Sequence, residues 1–183
     1  MSLSKFPEKA RRAAPVALAA ALALLASGCT SSKPAAPLVC PIATIAPGLN
    51  VIPQFGPGAG REPSDVRVSG ILTSIKNQCD RTDKGIAIHA IVGILARRVS
   101  TGIKTAQLPY FVAVADTQQH ILQKQGFILN VRFQGDEAYH NSADDITIYL
   151  PLKTVSAGGE YVVLTGFQLS KSQLDFVRSH RQQ

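Results

Sequence analysis

Tryptophan is missing from this 183-residue chain, methionine occurs only at position 1, and aromatic residues make up 6% of the whole. With so few rings, and hardly any in the polar stretches, a platform for stacking sugars is disfavoured. Charged residues amount to 17% and, beyond the leader, are scattered along alternating segments and not gathered into a stripe. A nucleic-acid partner needs a clustered basic face, so none is expected. The Gly-x-Ser-x-Gly elbow of hydrolases is absent. The stretch Gly56-Pro57-Gly58-Ala59-Gly60-Arg61 has no Lys-Ser or Lys-Thr after its last glycine, so it supplies turns and is no phosphate loop. No cofactor is implied. The longest apolar run, residues 13–26, falls short of the roughly 20 residues that span a bilayer.

What the chain does have begins with Lys5, Lys9, Arg11 and Arg12 against one acid, Glu8, ahead of that apolar run. A basic start, a short apolar centre and small residues at Ser27 and Gly28 form the three parts of a secretory signal, assigned here to residues 1–28. Three of the seven net positive charges belong to this leader.

Ala26-Ser27-Gly28-Cys29 resembles the bacterial lipoprotein cleavage motif, with Ala26 where leucine is commonest. The resemblance implies cleavage before Cys29 and a diacylglycerol on its thiol. The competing reading is an ordinary signal that leaves Cys29 as a free thiol. Several acyl chains on one residue anchor stably, since each buried CH₂ contributes about 0.8 kcal/mol. Thr30 follows the cysteine where enteric proteins retained in the inner membrane carry Asp, which implies the outer membrane, facing the periplasm. Residues 29–38, rich in Pro and Ser, read as an extended linker from the lipid.

Beyond Cys29 the remaining cysteines are Cys40 and Cys79. An isolated pair in an exported chain reads as a disulfide, the alternative being two buried thiols. Zinc would need more ligands at closer spacing.

Residues 39–183 read as one domain of strands. Ile86, Ile88, Ala90, Val92 and Ile94 alternate over nine residues, and so do Phe127, Leu129, Val131 and Phe133, then Ile146, Ile148, Leu150 and Leu152. Residues 107–116 read as a largely buried strand, with Pro109 near its entry. Residues 39–46 and 161–169 read as first and last strands. Residues 47–64, dense in Pro and Gly, and the polar residues 135–145 read as loops, and residues 80–85 as a hairpin turn. Ser170-Lys171-Ser172-Gln173 has the pattern of a capping box opening a short helix. About seven or eight strands with no long helix give an all-β fold, an antiparallel immunoglobulin-like β-sandwich with a short C-terminal helix. A small barrel is the alternative. Gly159-Glu160-Tyr161 resembles the tyrosine corner of such sandwiches.

Gly58-Ala59-Gly60-Arg61 with Asp65, Leu108-Pro109-Tyr110-Phe111-Val112-Ala113-Val114, and Tyr161-Val162-Val163-Leu164-Thr165-Gly166-Phe167-Gln168-Leu169, together with Cys40 and Cys79, resemble a family of uncharacterised exported lipoproteins of Gram-negative bacteria. The resemblance implies a topology and brings no activity.

The expected function is therefore binding: a membrane-anchored envelope lipoprotein serving as a non-enzymatic accessory to another envelope protein. Its contact surface would be the loop carrying Gly58, Gly60, Arg61 and Asp65. A small-ligand or lipid carrier is one alternative. A metal-dependent hydrolase using His140 with Asp136, Glu137, Asp144 or Asp145 is the other, because paired acids around a histidine are the raw material of such sites.

Overall fold

A computed structural model describes residues 35–58 and 60–180. The expected signal of residues 1–28, the expected lipidation site at Cys29 and the linker up to residue 34 lie outside the described residues. Eight strands follow in order: β1 (Ile42–Ile45), β2 (Val51–Phe55), β3 (Val66–Thr82), β4 (Gly85–Arg98), β5 (Thr105–Asp116), β6 (Ile121–Arg132), β7 (Tyr139–Pro151) and β8 (Tyr161–Phe167). One helix, α1 (Lys171–His180), closes the described chain.

The strands form two four-stranded sheets, ordered β1-β8-β5-β6 and β2-β3-β4-β7. All pairings are antiparallel except that of β1 with β8. The β-sandwich is thus the architecture. Alternation sets which side of each strand is buried. Ile86, Ile88, Val92 and Ile94 of β4 meet Leu108, Tyr110, Val112 and Val114 of β5 in one core between the sheets. The central strand β5 is buried on both faces from Tyr110 to Ala115, as an unbroken apolar run requires.

Three expectations are corrected. Residues 47–64 are not all loop, because β2 lies within them. Pro53 masked it, yet β2 is an edge strand, where a missing N–H costs no ladder bond. The polar residues 135–145 largely belong to β7, whose outward positions are polar because one face meets water. The turn at residues 80–85 shrinks to Asp83-Lys84, since Thr82 already pairs with Gly85. Cys79 therefore sits inside β3, and its bond to Cys40 ties the segment entering the first sheet to the second sheet. Asn77 Nδ2 reinforces this tie by donating to the Pro41 carbonyl at 2.9 Å.

The capping box is formed. The Ser170 N–H donates to Gln173 Oε1 at 2.8 Å, and the Gln173 N–H to Ser170 Oγ at 3.3 Å. The tyrosine hydroxyl that joins the sheets belongs to Tyr110, whereas Tyr161 contributes its ring to the edge of the core.

Candidate functional site

The four loop residues singled out from the sequence converge. Gly58 has φ +118°, a conformation that side chains disfavour. At Gly60 a Cβ would collide with the Asp65 carboxylate, so any larger residue there would displace that side chain. Asp65 Oδ2 accepts the Glu62 N–H at 3.0 Å, and the Asp65 carbonyl accepts the Gly56 N–H at 3.0 Å, closing the base of the loop. Arg61 Nη1 donates to the carbonyls of Gly58, at 3.2 Å, and Gly60. Its guanidinium lies 4.9 Å from the centroid of Phe55, a cation–π geometry.

That contact opens a series which the sequence did not disclose. Phe55, on β2, meets Phe176 of α1 edge-on at 5.2 Å, and Phe176 stacks on His180 at 4.1 Å. Gln173 Nε2 donates to the Pro53 carbonyl at 2.7 Å, so α1 is held against the same edge strand. Arg61, Phe55, Phe176 and His180 thus run across loop, strand and helix. Residues 121 positions apart share one surface, and only the fold brings them together. The heavy use of Pro and Gly around β2 was the signal that hid Phe55.

The acids and histidine of residues 136–145 do not converge into one cluster. Successive residues of a strand point to opposite faces, so Asp144 turns inward and Asp145 outward. Asp144 accepts the Tyr110 hydroxyl at 2.7 Å. His140 packs edge-on to Phe133 at 6.5 Å, with Glu137 3.7 Å from its Nδ1. Among the described residues no group of three or more His, Cys, Asp or Glu side chains is placed to hold a metal. The pleat of β7 sets Asp145 on the side opposite His140 and Asp144, and of the four acids Glu137 is the one that stands beside His140.

Another polar array lies on the outer face of β3, β4 and β7. His89 Nε2 is 3.1 Å from Asp80 Oδ2, and His89 Nδ1 is 3.1 Å from Thr147 Oγ1. Hydroxyl, imidazole and carboxylate stand in the order of an acyl-transfer triad. Such chemistry also needs N–H groups aimed at a developing oxyanion. Here β4 is a central strand, and its N–H groups serve the ladders to β3 and β7. The array is a cross-strand polar network: Thr147 is directly opposite His89, and Asp80 lies diagonally across.

Among the described residues, two titrating groups carry environmental shifts. Burial first, then the hydrogen bond to Asp144, keeps the Tyr110 hydroxyl protonated well above the usual tyrosine range. The backbone N–H of His120 is the chief cause holding Asp116 below the ordinary carboxylate value. Asp116 Oδ1 accepts N–H groups from both Gln118 and His120 at 2.9 Å, fixing a turn in which Gln119 has φ 68°.

No protein-family model, no curated protein and no solved structure matches this chain.

Proposed function

We propose that this chain is a lipid-anchored envelope protein that acts as a non-enzymatic binding or assembly accessory to another envelope protein. The observation that carries the reading is the fixed presentation of Arg61. An exposed arginine, held by its own loop carbonyls and by Phe55, loses little side-chain freedom when a partner engages it. Arginine and aromatic residues are the side chains enriched at binding hot spots. A carboxylate on the partner is the matching chemistry, because a planar guanidinium pairs with it in two parallel hydrogen bonds. The lipid on Cys29 and an outer-membrane location facing the periplasm belong to the same proposal, and rest on the leader and its cleavage motif.

Crosslinking in intact cells, followed by affinity capture, tests it with wild type, Cys29→Ala and Arg61→Ala. Wild type should recover one specific envelope partner. Arg61→Ala should lose roughly tenfold or more of that recovery, the scale of a hot-spot arginine. Cys29→Ala should lose it by leaving the membrane. Equal recovery by the Arg61→Ala chain would remove the loop from the interface and end this reading.

A further inference from the structure

The two sheets end in four edge strands, and they are guarded unequally. The β2 edge lies under α1 through Gln173 and Phe176, and β1 is only four residues long. The β7 edge carries Asp144 and Asp145. By contrast β6 has twelve residues, and among the described residues no strand pairs with its outer side. Every residue from Ile121 to Gly126 is exposed, and Ile121, Leu122 and Ile128 keep 57%, 54% and 58% of their surface in solvent. A long exposed edge with apolar side chains is a template for another strand. Lysines commonly guard such edges, but the Lys124 ammonium lies 4.4 Å from the Phe111 ring centroid, folded back over its own sheet.

We propose that β6 pairs with β6 of a second copy, antiparallel about a two-fold axis at Gln125, joining the two first sheets into one. The inference goes beyond the proposed function and does not depend on it. The choice of occupant rests on self-complementarity. Directly opposed residues point to the same side of a sheet, so a two-fold axis sets outer residues against outer residues. Only registers centred on a residue satisfy this. Centred on Lys124, lysine opposes lysine and Leu122 meets only Gly126 of the second copy, so no apolar pair forms on the outer face. Centred on Gly126, Lys124 meets Ile128 of the second copy and Leu122 meets Asn130 of the second copy. Centred on Gln125, Leu122 meets Ile128 of the second copy twice over. Each Lys124 then faces a glycine, Gly126 of the second copy, and the two Gln125 amides meet at the axis. Of these three registers, the one centred on Gln125 pairs apolar with apolar and separates the like charges while keeping a paired stretch from Leu122 to Ile128. The irregularity of β6, between Ile121 and Gln123, falls at the end of the paired stretch.

The test uses the full chain carrying Gln125→Cys or Gln123→Cys, with wild type alongside to report linkage through its own cysteines. Opposed Cα atoms in an antiparallel pair are about 4.5–5.5 Å apart, within disulfide reach. Gln123 would stand roughly 13 Å from its counterpart, four residues out of register. Mild oxidation should therefore link the Gln125→Cys chain as a dimer and leave the Gln123→Cys chain at the wild-type level. In sedimentation, wild type should behave as a dimer. The exposed double change Leu122→Lys with Ile128→Lys should weaken self-association at least tenfold while thermal unfolding of the domain is kept. A monomeric wild type, or linkage at position 123 as fast as at 125, would overturn the proposal. So would a double-lysine chain that remains dimeric.

Discussion

The Tyr110 hydroxyl donates to Asp144 Oδ2 at 2.7 Å, linking the central strand of one sheet to the edge strand of the other. The ring of Tyr110 is fully buried and stacks on Phe127 at 5.3 Å. A buried hydroxyl needs an acceptor, and the inward turn of Asp144 supplies it. This bond explains why an acid sits on the inner side of β7, ahead of Ile146, Ile148 and Leu150.

Tyr110→Phe should destabilise the domain by about 1.5–3 kcal/mol, the range for a hydrogen bond to a charged group. It should also change the alkaline limb of stability. Tyr110 has its folded-state value raised above 10.0, so its contribution is fully present below that pH and declines above it as the unfolded chain ionises. Urea unfolding from pH 8 to 11 should show a steeper alkaline loss in wild type than in Tyr110→Phe.

Asp116 has the opposite sign. Its folded-state value is lowered from 3.8, so its contribution is present above that pH and is lost as pH falls through the depressed value. Asp116→Asn should reduce stability at neutral pH, and the gap to wild type should close in strong acid. Thermal unfolding across pH 2–6 checks this, and a gap independent of pH would refute it.

Replacing both Cys40 and Cys79 by serine releases a loop whose ends are 39 residues apart in sequence. Chain entropy puts the loss at about 4 kcal/mol. For a domain of this size that corresponds to a fall of roughly 8–16 °C in Tm. Scanning calorimetry of wild type with and without reductant should give a similar drop.

Gln173→Ala removes an acceptor for the Ser170 N–H and the donor to the Pro53 carbonyl together. A loss of about 1–2 kcal/mol follows from one cap and one tertiary hydrogen bond. Amide exchange should speed up in α1 and along β2 and stay unchanged in β5.

Gly70 lies in β3 where a Cβ would stand 2.8 Å from Ile52 Cγ2, 2.9 Å from Leu108 Cδ1 and 3.0 Å from Phe167 Cζ. Gly70→Ala should therefore destabilise by about 1–3 kcal/mol through overpacking, read from the urea midpoint.

Much of the fold could be read in advance because period-two alternation directly encodes a strand with one buried face. Ile86 to Ile94 and Ile146 to Leu150 are plain cases, and every inward residue named there is buried. The capping box at Ser170 was equally plain, being a local exchange of two hydrogen bonds. Legibility failed where a local signal had a tertiary exception. Pro53 is tolerated because β2 is an edge, and the polar start of β7 pairs with β4 although its composition suggests a loop.

Of the candidate loop, the sequence by itself determined the ingredients: glycines at 58 and 60, an arginine at 61 and an acid at 65. It also determined the alternation that makes a sandwich, while the bond between Cys40 and Cys79 is set by the structure. The tertiary structure decided which groups meet. It placed Phe55 between Arg61 and Phe176, turned Asp144 toward Tyr110 and Asp145 away, and left β6 uncovered while α1 took the β2 edge. The division has a physical cause. Periodicity, turns and caps are properties of neighbours along the chain, whereas partners across a core or an edge are fixed only when two sheets find their common packing.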